Sequence, residues 1–156
     1  LGRGAQVIVI DRDLDRLRQL ENEFHRGITT VMANPYTIQR GVQFADVLIG
    51  AVLIKGEKTP HLVSEEMVKQ MKKGAVIVDV SIDQGGCFET SRETTHADPI
   101  YKIDGIVHYA VSNMPGALPR TSTLALNNAT LPFTLADSAP VRLAAAAASP
   151  AGPETR

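Results

Sequence analysis

The sequence is poor in cysteine, in aromatic residues and in net charge. It has one cysteine, Cys87, no tryptophan, and aromatic side chains make up 4% of its 156 residues. A lone cysteine excludes an internal disulfide and is typical of a chain kept in a reducing compartment such as the cytoplasm. The sequence places no base beside Cys87 that would make it a nucleophile. The formal net charge of −1 argues against nucleic acid or an anionic membrane surface as the main partner.

Three other features are also missing. No apolar run approaches the roughly 20 residues that span a bilayer, and no secretory leader opens the chain, so we expect no membrane partner. The histidines are scattered without the spacing of metal ligands, so we expect no metal site and loop or surface positions for His25, His61, His96 and His108. No predicted strand is followed by Gly-x-Gly-x-x-Gly or by a P-loop, the two glycine-rich turns that hold phosphates.

The most informative stretch is residues 74–87, which begins like a strand and ends as a polar loop. Residues 75–80 are dominated by Val and Ile, which is typical of a strand buried on both faces of a parallel sheet. Asp83, Gln84 and a Gly-Gly pair follow where this strand must end. Ligands of open α/β sheets bind beyond the carboxyl ends of the strands, so this loop is a candidate site. The alternative is a plain loop in which Asp83 caps a turn and the glycines supply positive φ angles.

The rest of the chain alternates strands with helices. Apolar strand-like runs recur at residues 5–10, 28–32, 46–51 and 106–111. Helical periodicity follows three of the predicted strands, at residues 13–24, from Asn34-Pro35 onward, and from Ser64 to Gly74. Residues 84–104 hold no sustained period, and we expect a loop with at most one helical turn. This alternation predicts right-handed crossovers and a parallel sheet.

The C-terminal part of the chain has a different character. Residues 119–136 are predicted to form a helix, with a kink or a break near residue 131 because Pro132 lies inside the pattern. From about residue 137 the chain is rich in Ala and Pro without an apolar face, which predicts a disordered tail over residues 137–156. The predicted division is a domain at residues 1–117, a helix at 118–136, and this tail.

The residues just past four of the predicted strands combine a few polar groups with apolar side chains. They are Asp11 after the first, Ala51-Val52-Leu53 after the third, Ser81-Ile82-Asp83 after the fourth, and Ser112-Asn113-Met114 after the fifth. In a parallel sheet these tips share one edge and line one crevice, whose apolar walls suit a flat ring.

Asp11 indicates which nucleotide would fit. A carboxylate at such a strand end accepts the ribose hydroxyls of a dinucleotide and repels a 2′-phosphate, which favours NAD over NADP. Arg12 and Arg16 weaken this preference, since an arginine can pair with that phosphate. The alternative is that Asp11 simply caps the helix that follows it.

Five motifs together point to a family. They are Val9-Ile10-Asp11 with Leu14-Asp15-Arg16-Leu17, Ala33-Asn34-Pro35-Tyr36, Ile49-Gly50-Ala51-Val52-Leu53-Ile54, Asp79-Val80-Ser81-Ile82-Asp83-Gln84-Gly85-Gly86, and Asn113-Met114-Pro115-Gly116 with Pro119-Arg120-Thr121-Ser122-Thr123. Over roughly residues 1–136 the chain resembles bacterial alanine dehydrogenase. The related nicotinamide nucleotide transhydrogenase α subunit shares the domain plan and usually differs in these loops.

The resemblance implies an α/β fold that is incomplete. We expect a Rossmann-type doubly wound parallel sheet lacking its first strand and its glycine loop, which would lie upstream of Leu1. In the usual strand order that first strand is central, so its absence would leave two half-sheets with unpaired apolar edges. The helix at 118–136 would return to a substrate domain that is mostly absent.

The resemblance also implies an activity. It is NAD-dependent oxidative deamination of L-alanine to pyruvate and ammonia by a homo-oligomer, a hexamer in the family. The substrate-binding arginine and lysine and a partner histidine would lie upstream of Leu1, so we expect the chain alone to be inactive. Two other readings stay open: the NAD(H)-binding domain of a transhydrogenase, and a non-catalytic nucleotide-binding remnant.

The same resemblance assigns site residues. Asp83 would be the active-site acid, and Arg16 would lie near the adenine. The family often has Ser where Ala33 stands, so one hydrogen bond to the adenosine side would be lost. The residues implied to contact the cofactor are Asp11, Arg16, Ala33, Val52, Leu53, Val80, Ser81, Ile82, Asp83, Val111, Ser112, Asn113 and Met114.

Overall fold

The structure is a computed structural model that describes residues 1–25, 27–54 and 56–147. The strands in these ranges are β1 (Ile8–Asp11), β2 (Thr29–Met32), β3 (Val47–Gly50), β4 (Val76–Asp79), β5 (Ile100–Ile103) and β6 (Ile106–Tyr109). The α-helices are α1 (Leu14–Glu23), α2 (Pro35–Phe44), α3 (Glu65–Lys69) and α4 (Pro119–Ala147). Each strand predicted from the sequence is present, and the alternation of strands with helices is confirmed.

The strands form two separate sheets rather than one. β1 and β2 pair in parallel as a two-stranded sheet, and the other four strands follow the order β3-β4-β6-β5. β3, β4 and β6 are mutually parallel, with β4 between the other two as an interior strand. The expected division into two half-sheets is therefore confirmed, and β1 and β3 are each left at the edge of a sheet.

β5 corrects the prediction that residues 84–104 are a loop. It pairs antiparallel with β6 through a two-residue turn, Asp104-Gly105, whose φ angles are 51° and 80°. Two successive positive φ angles are those of a type I′ hairpin turn, for which Asp-Gly is a favoured pair. The Asp-Gly pair is visible in the sequence, but the short run before it, Ile-Tyr-Lys-Ile, does not stand out as a strand.

Local side-chain chemistry explains where the helices begin. Asp13 is the N-cap of α1, and its carboxylate accepts the backbone N–H groups of the first turn. Asn34 and Thr37 form a capping box at the start of α2, with Pro35 at a first-turn position where its missing N–H has no effect. Ser64 caps α3 in the same way. These starts agree with the predicted ones.

The core lies around the four-stranded sheet, and α2 links it to the smaller sheet. Buried side chains from α2, α3, β4 and β6 pack together, among them Val42, Val68 and Ile77. The residue before Val42 faces β1 instead: a Cβ on Gly41 would lie 2.8 Å from Cδ1 of Ile10. Neighbouring residues of α2 therefore touch both sheets.

The chain divides into two compact units, and α4 belongs to the second, which begins at Pro115. α4 continues without a break through Pro132 and past the predicted end at residue 136 to Ala147. The predicted break is therefore wrong, and the disorder predicted for residues 137–156 stays a prediction. Residues 148–156 of the predicted tail lie outside the described residues. Of the helices in the described ranges, none is both long and apolar enough to cross a bilayer.

Candidate functional site

The loop after β4 is organised by one buried carboxylate. Asp79, the last residue of β4, is fully buried. Its Oδ1 accepts the Ser81 N–H at 3.1 Å, and its Oδ2 accepts the Cys87 N–H at 2.9 Å and the Ser91 hydroxyl at 2.6 Å. A buried charge is tolerated only when it is hydrogen-bonded in this way. Both arms of the loop over residues 81–91 are thus tied to the end of the strand.

The anchoring role of Asp79 was not predicted. Asp79 lies inside an apolar run expected to be buried on both faces, and a carboxylate in such a run is itself a signal. Such a group needs several donors near it, and the polar loop that follows was the nearest source.

Two glycines make the tight turn of this loop. Gly85 and Gly86 have φ angles of 105° and 79°, so the predicted use of glycine for positive φ is confirmed. A Cβ on Gly86 would lie 2.8 Å from Oδ2 of Asp79. The absence of a side chain therefore allows the loop backbone to pass against the carboxylate.

Asp83 is exposed on this loop and is bound to the tip of another strand. It lies in a short 3-10 helix, Ile82–Gln84. The Ser112 hydroxyl, just past β6, donates a hydrogen bond of 2.5 Å to its Oδ1. The structure thus brings together two residues that the sequence placed at separate strand ends, and the carboxylate is oriented by a neighbour.

A second contact joins the tip of β3 to the tip of β4. The Ser81 hydroxyl donates to the carbonyl oxygen of Val52 at 2.8 Å, and the Val80 N–H donates to that of Gly50 at 2.8 Å. Leu53 and Val80 remain 64% and 49% exposed, so they do not serve the core. The ends of β3, β4 and β6 lie at one edge of the larger sheet, and Leu53 and Val80 are exposed at that edge.

The segment after β6 is fixed by the loop that precedes β5. The Ser112 N–H donates to the Thr94 carbonyl at 3.3 Å, and the His96 ring nitrogen Nε2 donates to the Asn113 carbonyl at 3.0 Å. Asn113 has a left-handed φ of 53°, and Val111 before it is buried. Thr94 and His96 were not predicted, because no motif marks a residue that only positions a neighbouring backbone.

The remaining predicted residues lie on the smaller sheet. Asp11 ends β1, its backbone carbonyl accepts the Ala33 N–H at 2.8 Å, and its Oδ1 accepts the Asp13 N–H at 2.9 Å. Because Asp13 caps α1, the alternative of Asp11 as the helix cap is wrong. Arg16 is exposed on the first turn of α1. The predicted cofactor residues are therefore divided between the two sheets, with Val52, Asp83, Ser112 and Asn113 on the larger one.

A stacked pair of rings includes a histidine that was predicted to lie in a loop or at the surface. His108 is buried in β6 rather than in a loop or at the surface, and it stacks on Tyr101 with ring centroids 4.8 Å apart. Burial lowers the pKa of His108 and raises that of Tyr101. His108 Nδ1 donates to the Ile106 carbonyl at 3.2 Å and Nε2 accepts the Thr90 hydroxyl at 2.9 Å, which fits a neutral ring.

In the described part of the chain, no group of three His, Cys, Asp or Glu side chains could hold a metal ion.

Parallel strands connected by helices, with the candidate site at their carboxyl ends, are the arrangement of the open α/β domains known as the Rossmann type. Comparison with known proteins identifies the family. Residues 1–149 match the family described as "Alanine dehydrogenase/PNT, C-terminal domain", and the chain belongs to it.

Individual relatives agree with this assignment. The chain is 58% identical over 136 residues to alanine dehydrogenase of Lysinibacillus sphaericus, covering 86% of this chain and 37% of the relative. It is 59% identical over 134 residues to that of Staphylococcus saprophyticus, covering 85% and 36%. The chain thus spans little more than a third of the length of these relatives.

Solved structures agree as well. An L-alanine dehydrogenase superposes with a TM-score of 0.81 at 48% identity, covering 88% of this chain and 39% of that one. A transhydrogenase from Sinorhizobium meliloti superposes with a TM-score of 0.74 at 22% identity, covering 86% and 38%. The second match shows a shared fold only.

Proposed function

We propose that this chain forms the cofactor-binding part of an NAD-dependent alanine dehydrogenase, which converts L-alanine to pyruvate and ammonia. The observation that carries the proposal is the oriented carboxylate of Asp83 at the strand edge. It accepts the Ser112 hydroxyl and stands on a loop held by buried Asp79. The identity of 58% to an alanine dehydrogenase supports the choice of reaction.

The strand edge has the features that a dinucleotide needs. Exposed Leu53 and Val80 offer an apolar surface to a flat ring, beside polar groups that set its orientation. We infer that Asp11 accepts the adenosine ribose hydroxyls and that Arg16 lies near the adenine, with Ala33 between strand and helix on that side. Along the larger sheet we infer contacts from Val52, Leu53, Val80, Ser81, Ile82, Asp83, Val111, Ser112, Asn113 and Met114. NAD supplies a hydride acceptor when bound.

Asp83 is the proposed acid–base residue of this part. Conversion of an amine to a carbonyl through an imine requires positioned proton transfers. Asp83 is exposed, so it can exchange a proton with a substrate or with water, and the Ser112 hydroxyl holds Oδ1 in place. We infer that a histidine from the rest of the enzyme works opposite Asp83, as the family resemblance implies.

The two other readings are less well supported. A transhydrogenase domain is related to this chain at 22% identity in the matched structure, against 48% for alanine dehydrogenase. The alternative of a non-catalytic remnant agrees with the inactivity expected of the isolated chain, because the side chains proposed to bind the amino-acid carboxylate are not among its residues. It does not account for the ordered Asp79 loop that presents Asp83.

A chimera tests the proposal. The part of Lysinibacillus sphaericus alanine dehydrogenase that precedes its matched region is joined to this chain, and NADH formation is followed by absorbance. We expect formation that requires L-alanine and falls at least about 100-fold in Asp83→Asn. Asp98→Asn is the matched control, because it makes the same change at an exposed loop position. A folded chimera that forms no NADH, or an Asp83→Asn variant as active as its parent, would contradict the proposal.

Assembly and location are proposals from the family resemblance. We infer a homo-oligomer, a hexamer, in the cytoplasm, with a small-molecule substrate and no nucleic acid or membrane partner. The near-neutral charge of the sequence supports the absence of a polyanionic partner. The mass of the purified chimera by light scattering checks the hexamer.

A further inference from the structure

The carbonyl groups of the loop after β4 are bound by a segment that precedes α3, residues 59–63. The Thr59 N–H donates to the Gln84 carbonyl at 2.8 Å. The Leu62 N–H donates to the Cys87 carbonyl, also at 2.8 Å. This 59–63 segment therefore runs along the loop and holds its backbone.

The 59–63 segment complements the anchoring by Asp79. A carboxylate only accepts hydrogen bonds, and that of Asp79 binds the N–H groups of Ser81 and Cys87. It cannot bind the loop carbonyls, which need donors. The loop that presents Asp83 is therefore held by two partners, one for its donors and one for its acceptors.

Thr59 is the residue of this segment that also reaches the end of β3. It is buried, with 2% of its surface exposed. Its hydroxyl donates to the Val52 carbonyl at 3.3 Å, and the Ser81 hydroxyl donates to the same oxygen at 2.8 Å. A carbonyl oxygen has two lone pairs, so both hydroxyls can bind at once. Thr59 thereby joins the end of β3, at Val52, to the loop that carries Asp83, at Gln84.

The local sequence restricts the direction of both Thr59 donors. Pro60 follows, and a residue before proline is confined to extended backbone conformations, which limits where its N–H can point. The side chain is β-branched and stiff, so its hydroxyl has few orientations. A buried hydroxyl costs free energy unless it is hydrogen-bonded, which the contact with Val52 satisfies.

We propose that Thr59 is a positioning residue for the reaction. Through its N–H and its hydroxyl it fixes the distance between Asp83 and the surface of Leu53 and Val80 on which the cofactor ring is proposed to lie. Being buried, it acts through Gln84 and Val52 and not on the substrate. This inference rests on the proposed function, since it concerns the position from which Asp83 transfers a proton. A displacement of about 1 Å at a reacting group can lower a rate about 100-fold, so losing one anchor should be measurable.

Two substitutions separate the hydroxyl of Thr59 from the rest of its side chain. Thr59→Val keeps the size, the branching and the backbone N–H and removes the hydroxyl, whereas Thr59→Ser keeps the hydroxyl. Thr130→Val is the matched control, because the Thr130 hydroxyl also donates to a backbone carbonyl, that of Leu126 at 2.9 Å, on the exposed surface of α4. Each variant is made in the chimera and in the 156-residue chain.

Amide hydrogen exchange of the 156-residue chain tests the anchoring without any turnover. In Thr59→Val the protection factors of the amides at positions 59 and 62 should fall about fivefold, because the segment opens more often from the loop. They should stay within about twofold of the parent in Thr59→Ser and Thr130→Val. Unchanged protection in Thr59→Val would overturn the proposal. So would an equal fall at the Ile77 amide of β4, which would show a general loss of stability.

Steady-state kinetics of the chimera tests the effect on the reaction. In Thr59→Val kcat should fall about tenfold while the KM for L-alanine stays within about twofold of the parent, because Asp83 is displaced and the proposed substrate-binding side chains are unaltered. Thr59→Ser and Thr130→Val should retain most of the kcat. With an active parent, an unchanged kcat in Thr59→Val or the same loss in Thr59→Ser would overturn this inference alone. An inactive parent would refute the proposed function, and the role of Thr59 in the reaction with it.

Discussion

The hydroxyl of Ser112 donates a hydrogen bond of 2.5 Å to Oδ1 of Asp83, although the two residues are 29 positions apart in the chain. They follow different strands, β6 and β4, whose parallel pairing brings both ends to one edge. The contact therefore depends on the sheet and on the loop that Asp79 anchors.

The first prediction concerns this contact in the chimera described above. Ser112→Ala removes the donor and leaves Asp83 free to rotate, so kcat should fall about tenfold, less than in Asp83→Asn. Ser112→Thr keeps the hydroxyl and should retain most of the activity. Steady-state kinetics with L-alanine and NAD measures both variants. Equal losses in the alanine and threonine variants would show that the hydroxyl does not orient Asp83.

The second prediction concerns Asp79. In Asp79→Asn an amide N–H₂ replaces one acceptor oxygen, and it must face either the Ser81 N–H or the Cys87 N–H. The free energy of unfolding should fall by about 3 kcal/mol, the usual effect of breaking a buried charged network. Urea unfolding of the isolated chain measures it. Asp83→Asn is the control, because this exposed side chain should change stability by less than about 1 kcal/mol.

The third prediction compares the two glycines of the loop. Gly85 and Gly86 both have positive φ angles, so alanine at either position is strained. A Cβ at Gly86 also approaches the fixed carboxylate of Asp79, whereas at Gly85 it meets the flexible side chain of Lys58. Gly86→Ala should lower the free energy of unfolding by about 2–3 kcal/mol and Gly85→Ala by about 1 kcal/mol. The reverse order, measured by urea unfolding, would contradict the packing described here.

The fourth prediction concerns pH and His108. Burial lowers the pKa of His108, so the folded chain holds this ring neutral where the unfolded chain begins to protonate it, near pH 6.5. Between the two pKa values the unfolded state binds more protons, and stability should therefore decrease as the pH falls through about 6.5. Urea unfolding at about pH 7.5 and about pH 5.5 measures the decrease. His108→Gln removes the titrating group and should make this decrease in stability smaller. His25→Gln is the surface control and should leave the decrease unchanged.

The fifth prediction concerns the isolated chain. Without the residues proposed to bind the amino-acid substrate, and with β1 and β3 unpaired, it should show no NADH formation that depends on L-alanine. Spectrophotometry with the chimera as positive control measures this. Steady NADH formation by the purified chain alone would refute the expectation.

Much of the local structure was predictable because it depends on neighbouring residues. The apolar runs of β1, β3 and β4 and the starts of α1 and α2 at Asp13 and Asn34 follow from periodicity and capping. β5 was not predicted because its run, Ile-Tyr-Lys-Ile, includes a lysine and lies in a stretch without sustained periodicity. His108 was predicted to lie in a loop or at the surface because it has no metal-ligand spacing to other histidines. It lies in the strand predicted at residues 106–111, where alternate residues face opposite sides and one side can be buried.

The family, the strands and helices other than β5, and the residues at each strand tip could be predicted from the sequence, because these depend on short motifs and on periodicity. Only the three-dimensional contacts reveal that Asp79 anchors the loop and that Ser112 binds Asp83. These features arise from contacts between residues far apart in the chain. Such contacts are set by how strands pair and helices cross them, and composition and spacing do not encode that directly.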